Sequence, residues 1–255
     1  MNSAYPWLIE GTTLAEGARL YALSDTMGRD LIFALVVAVV GTSFLEVRRL
    51  HNPGDLRRFL MGRYRRPEEE ERVFLFADME DSTAIAERLG SLTYSNLLRD
   101  CFYDISEAIL AWRGQVYQYV GDEVIVTWPF EEGVNQARCV RCFFDMLELL
   151  EAKRDRNEAR YGVAPRFRAG IHGGTVVTTW IGEAKKELAF HGDTLNVAAR
   201  MEGACRELGS RCLVSANVFE RIAVPEHLRA TPRGELQLRG KQEVVEVWSI
   251  ERRVP

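Results

Sequence analysis

No excess of basic charge, no cysteine framework and no internal repeat mark this 255-residue chain, and the first two absences each remove a class of function. The 33 Lys and Arg are outweighed by 37 Asp and Glu, for a net charge of -4. That leaves no basic surface of the kind nucleic-acid phosphates demand, so DNA and RNA are excluded as main partners. The five cysteines (Cys101, Cys139, Cys142, Cys205, Cys212) are odd in number and lack disulfide spacing, which fits a reducing compartment. Cys139 and Cys142 form a C-x-x-C, but Cys142, Phe143, Met146, Leu147 and Leu150 recur at helical spacing and read as a core stripe. Low-complexity tracts are also missing. What is present, 47% hydrophobic residues over this length, suffices for one packed domain and an appendage.

The longest uncharged run is LIFALVVAVVGTSFL, 15 residues between Asp30 and Glu46. As a helix it would measure roughly 23 Å, short of the roughly 20 residues of a full span. Its flanks nevertheless point to a membrane. Arg48, Arg49, Arg57, Arg58, Arg63, Arg65 and Arg66 follow it, whereas residues 1–30 carry only Arg19 and Arg29 among four acids. The positive-inside rule then puts everything after residue 47 in the cytoplasm. The expectation is a membrane helix over 31–47 at the inner (cytoplasmic) membrane, with residues 1–30 along its surface and lipid or a membrane-embedded regulator as partner. A soluble dimerisation helix is the alternative. The late start, the lack of a basic leader and the lack of a small-residue cleavage site argue against a signal peptide.

Pro53-Gly54 and Arg65-Arg66-Pro67, followed by the run of acids at 68–71, read as a linker over 48–71, with the compact domain over 72–255. Periodicity predicts a strand at 73–78, a helical region at 82–112 interrupted at Gly90, a hairpin of 115–121 with 123–128, and a long helix at 132–160. A hairpin around Gly173-Gly174 follows, then a short strand at 187–191, a helix at 193–208 and strands near 211–215, 234–239 and 243–250. Strands and helices interleaved with hairpins suit an α+β fold, a mainly antiparallel sheet covered by helices.

Two acids close apolar strands, Asp78 after Val73-Phe74-Leu75-Phe76-Ala77 and Asp122 within Tyr119-Val120-Gly121-Asp122-Glu123-Val124. By the period-2 rule Phe74, Phe76 and Asp78 share a face, as do Gln118, Val120 and Asp122. If the strands are neighbours, both carboxylates emerge at one sheet edge, where a hard cation such as Mg²⁺ could bind with substrate phosphates. Two unrelated strand-end acids are the alternative. A third segment, Phe190-His191-Gly192-Asp193-Thr194-Leu195-Asn196-Val197-Ala198-Ala199-Arg200-Met201-Glu202, sets Asn196 and Arg200 on one face of a helix capped near Asp193.

With these pieces the chain resembles the class III nucleotidyl cyclases, the adenylate and guanylate cyclase family. The matching motifs are Asp78-Met79-Glu80-Asp81-Ser82-Thr83, Gly121-Asp122, Gly170-Ile171-His172-Gly173-Gly174, Gly192-Asp193 with Asn196 and Arg200, and Leu238-Arg239-Gly240-Lys241. They run in the family's order over roughly residues 70–250. The resemblance implies a palm-type, ferredoxin-like catalytic domain that converts ATP to 3′,5′-cyclic AMP and pyrophosphate. It implies two Mg²⁺ or Mn²⁺ ions on Asp78, Asp122 and the main-chain carbonyl of Met79. Asn196 would orient the ribose and Arg200 would stabilise charge on the transferring phosphate; Arg239 stands where the family usually has a phosphate-binding lysine and keeps its charge with more bulk, and Lys241 could share that role in holding the triphosphate. The resemblance further implies a homodimer, with the two aspartates from one subunit and the Asn/Arg pair from the other.

The chain departs from the family where the base is read. Adenylate cyclases usually have lysine, and guanylate cyclases glutamate, at the place of Gln118. At Ala189 the former have aspartate or threonine and the latter cysteine. Gln118 offers both a donor and an acceptor and Ala189 only backbone, so ATP is expected on family usage and GTP stays open. A non-catalytic nucleotide-binding or dimerisation module is the other alternative. A diguanylate cyclase is disfavoured because Val120 and Val124 break that family's hairpin signature.

Overall fold

Residues 73–79 alternate between two apolar faces, and that alternation buries the strand between two hydrophobic clusters. The structure, a computed structural model, describes residues 25–50, 64, 66–184, 186–237 and 244–253. By chain contacts it divides into two units, Met1–Met61 and Gly62–Pro255.

In the first unit the described residues form one helix, α1 (Asp25–Leu50), whose side chains Leu31, Ile32, Phe33 and Leu35 are exposed. The expected membrane helix over 31–47 is corrected here. Among the described residues no helix is long and apolar enough to cross a membrane. The physical reason is the brevity of the uncharged run, because α1 also contains Arg29, Asp30, Glu46, Arg48 and Arg49. The surface segment expected over residues 1–30 lies mostly outside the described residues.

The second unit runs β1 (Glu68–Met79), α2 (Ser82–Leu89), α3 (Ser91–Ala111), β2 (Gln115–Val120), β3 (Glu123–Pro129), α4 (Phe130–Val134), α5 (Arg138–Ala152), α6 (Arg154–Tyr161) and β4 (Phe167–Ile181). It continues with β5 (Glu187–His191), α7 (Asp193–Glu207), β6 (Cys212–Ser215), α8 (Ala216–Phe219), β7 (Leu228–Gln237) and β8 (Val244–Arg252). The sheet order is β2-β3-β1-β4-β6-β8-β7, with β5 paired to β4. Every pairing is antiparallel except β4 with β6. The segment β2-β3-β1-β4, with helices crossing after β1 and before β4, is the ferredoxin-like βαββαβ arrangement.

One face of β1 (Val73, Leu75, Ala77, Met79) joins α3 and α5 in the main core, which also takes Cys139, Cys142, Phe143 and Met146, so the cysteine stripe is core. The other face (Phe74, Phe76) packs with Ile125, Phe190 and Ala198 beneath α7. Arg72, fully buried, is held there by Thr127 Oγ1 at 3.0 Å, Gln115 Oε1 at 2.8 Å and Glu70 Oε1 at 3.3 Å, with its guanidinium 4.7 Å from the Phe190 ring.

Three elements differ from their sequence-based expectation. The strand β1 starts at Glu68, four residues ahead of the expected domain start, because residues 68–71 pair with Thr175–Thr178 of β4. The hairpin expected at Gly173-Gly174 is uninterrupted β4, and the turn comes later, with Gly182 at φ 82. These glycines serve packing: a Cβ on Gly173 would lie 2.4 Å from the Phe130 ring and one on Gly174 2.8 Å from Thr194 Oγ1. The long helix expected over 132–160 is broken by Gln136 and Ala137, both at positive φ, and again at Lys153.

Candidate active site

The β1–β3 register carries the chain from the pair Ala77↔Val124 directly to Asp78 on one strand and Glu123 and Asp122 on the other. Gly121, at φ 63, supplies the left-handed residue that a two-residue turn between β2 and β3 needs. Asp78 and Asp122 meet at this edge, close enough for the charge of Asp122 to act on Asp78. Burial first, then the charges of Asp122 and Glu202, push the Asp78 carboxyl up to about 7. Glu123 is also pushed up to about 7, by burial and then by Asp78, Glu202 and Asp122.

This concentration of negative charge has a close counter-cation in Arg168 of β4, the registered partner of Asp78. Its Nη2 lies 3.6 Å from Asp78 Oδ2 and its Nε donates to Glu202 Oε1 of α7 at 2.6 Å. Burial, then the charges of Asp122 and Asp78, raises the Tyr94 phenol, against a lowering effect of Ser82 at the start of α2. Asp81 adopts φ 55 before α2 and accepts a 2.7 Å bond from Arg206 of α7.

Among the described residues no group of three or more His, Cys, Asp or Glu side chains is arranged to hold a metal unaided. Two crowded carboxylates fit a hard divalent ion that takes its remaining ligands from water and substrate phosphates. Met79, also expected at the metal, is buried with its side chain in the core, so its main-chain carbonyl is the group at issue.

Helix α7 starts at Asp193 itself, and Gly192 holds the cap position expected for Asp193. Asp193 then lies in the first turn, where a carboxylate suits the helix dipole. Val197, Ala198, Met201 and Cys205 are buried, whereas Asn196 and Arg200 are exposed on another face. Glu202 and Arg206 occupy a third, turned toward the acidic edge. The helix rests on β4 because Gly170 has no side chain: a Cβ there would come within 2.4 Å of both Ala198 O and Glu202 N.

The two positions expected to read the base are near each other through their neighbours. A bulge between Val116 and Gln118 sets Tyr117 against Phe190, ring centroids 4.9 Å apart, and these adjoin exposed Gln118 and buried Ala189. Arg239 and Lys241 lie outside the described residues. Sequence reasoning missed Glu123, Arg168 and Glu202 as members of the site. Their proximity to named motifs was the available signal, since Arg168 precedes Gly170 by two residues and Glu202 follows Arg200 by two.

Against this geometry, the family model for the adenylate and guanylate cyclase catalytic domain matches residues 66–251. The chain belongs to that family. Adenylate cyclase 2 of Rhizobium meliloti (strain 1021) is 40% identical to this cyclase-family chain over 220 residues, covering 86% of it and 61% of the relative. The chain therefore spans less than two thirds of that relative's length. A solved bacterial light-regulated adenylyl cyclase superimposes with TM-score 0.72 at 21% identity, covering 86% of this chain and 64% of the other. The adenylyl cyclase CyaB from P. aeruginosa gives TM-score 0.64 at 18% identity, covering 74% and 97%. At such identities these two likenesses speak to the fold, a cyclase-type α+β sheet with helices.

Proposed function

We propose that this chain is an adenylate cyclase, converting ATP to 3′,5′-cyclic AMP and pyrophosphate at sites shared between two copies. The observation that carries the reading is the meeting of Asp78 and Asp122 at one sheet edge, with Asn196 and Arg200 of the same chain exposed on a separate helix face. The name of the 40%-identical relative supports adenylate over guanylate chemistry.

In this reading Asp78, Asp122 and the Met79 carbonyl hold the metals. Two bound divalent ions would lower the pKa of the ribose 3′-hydroxyl and neutralise the triphosphate. Asn196 of the second copy orients the ribose so that the 3′-oxygen faces the α-phosphorus. Arg200 beside it stabilises the charge that builds on the α-phosphate as the cyclic ester forms and pyrophosphate departs. Arg239 and Lys241 bind the departing phosphates, and Gln118 reads the purine edge with main-chain help near Ala189.

The 255-residue chain incubated with ATP or GTP and Mn²⁺ or Mg²⁺ should yield cyclic AMP from ATP. Asp122→Asn should lower that rate at least about a hundredfold, as loss of an electrostatic anchor of the transition state does. Cyclic GMP as the main product would reassign the substrate to GTP, a reading that the ambivalent amide of Gln118 keeps in view. Nucleotide binding without any cyclic product would overturn the enzyme reading.

A further inference from the structure

Helix α7 is tied to the acidic edge twice, by Arg206 to Asp81 and by Glu202 through Arg168 to Asp78. Neither tie uses the face that carries Asn196 and Arg200. At 3.6 residues per turn, positions 202 and 206 lie roughly 120° around the helix from 196 and 200. Arg168 is in turn the registered β4 neighbour of Asp78, so its guanidinium stands between the metal-side strand and the helix. Its side chain is mostly buried, at 16% exposure, and so is its partner Glu202 at 10%, which makes the bridge far less subject to solvent screening than a surface pair.

We propose that Arg168 is a positioning residue that shares its charge between Asp78 and Glu202, so that metal occupancy at Asp78 is transmitted to α7. The inference rests on the reading of Asp78 and Asp122 as the metal aspartates. Without metal, Arg168 divides its attraction between both carboxylates. When Asp78 turns to a divalent cation, the like charge of that cation drives Arg168 toward Glu202, and α7 is drawn more firmly to β4 in the same subunit. Because α7 presents Asn196 and Arg200 outward, loading of one subunit's metal edge readies the helix that serves the other site. The planar fork of arginine suits this double contact, which a lysine ammonium makes less well.

The test is Mn²⁺ binding to the full chain, read as loss of the free-ion electron paramagnetic resonance signal, together with amide exchange over residues 193–207. Arg168→Gln removes a competing cation and should tighten Mn²⁺ roughly three- to tenfold. Glu202→Gln frees Arg168 for Asp78 and should weaken Mn²⁺ by a similar factor. The Glu202→Gln effect should shrink when Arg168→Gln is also present, since part of it acts through Arg168. Arg168→Lys keeps the charge and loses the fork, so its Mn²⁺ affinity should fall between those of the parent and Arg168→Gln, showing that charge and not folding is read. Mn²⁺ should slow exchange in α7 of the parent and not in Arg168→Gln. A weakening by both single variants, or equal slowing of α7 exchange with and without Arg168, would overturn the proposal. Mn²⁺ binding that Asp78→Asn leaves unchanged would instead overturn the metal-site reading beneath it.

Discussion

Asp78 and Glu123 are acids held where ionisation is disfavoured, and this has a sign that can be measured. Both are pushed up to about 7 in the folded chain, from ordinary values of 3.8 and 4.5, by burial first and by neighbouring carboxylates next. Between about pH 4 and 7 the folded state therefore binds more protons than the unfolded one, and stability falls as pH rises through that window. Thermal unfolding in excess chelator should show the midpoint declining from pH 4.5 to 7.5, with a smaller decline in Asp78→Asn. Mn²⁺ should raise the midpoint more at pH 7.5 than at pH 5, because Asp78 binds it well only when ionised. A flat profile in chelator would refute this account of the edge. Asp78 and Asp122 were legible from strand parity, but the role of Arg168 was not: its place two residues before Gly170 sets it near a motif, and only the β1–β4 register sets it against Asp78.

Among the elements, β4 and α7 show how far local pattern carries. The hydrophobic spacing of α7 sorts its buried residues from Asn196 and Arg200 without help from the fold. The glycines of β4 mislead, because glycine marks turns and close backbone approach alike, and only the neighbour decides between them. At Gly170 the neighbour is the α7 backbone itself, which cannot swing away as a flexible side chain would. Gly170→Ala should therefore cost about 1–3 kcal/mol of stability, as overpacking does. Denaturant titration checks this. Cyclase activity should fall further than stability alone explains, because α7 is lifted from β4 and the Arg168–Glu202 contact stretches. An unchanged midpoint would show that the sheet yields to the methyl group. The same lesson applies to α1, where charge flanking predicted a membrane span but the uncharged run is too short for one.

For the whole molecule, the proposed chemistry joins two copies, with Asn196 and Arg200 exposed on a face of α7 separate from the one that carries Glu202 and Arg206 to the acidic edge. Mixing inactive Asp78→Ala with inactive Arg200→Ala should restore activity up to about a quarter of the parent, since random pairing makes half the dimers mixed and each has one intact site of two. Sedimentation checks that mixed dimers form, and no recovery from folded mixed dimers would sink the shared site. The sequence by itself determined which residues share a strand or helix face, the Gly121 turn and the family motifs, because periodicity and backbone preference act over a few residues. Tertiary structure alone decided that Asp78, Asp122 and Glu123 crowd one another, that β4 runs straight through its glycines, and that Arg168 joins Asp78 to α7. Those outcomes depend on strand register and helix packing between segments tens of residues apart, where the energy of a contact is set by its partner and not by its neighbours in the chain.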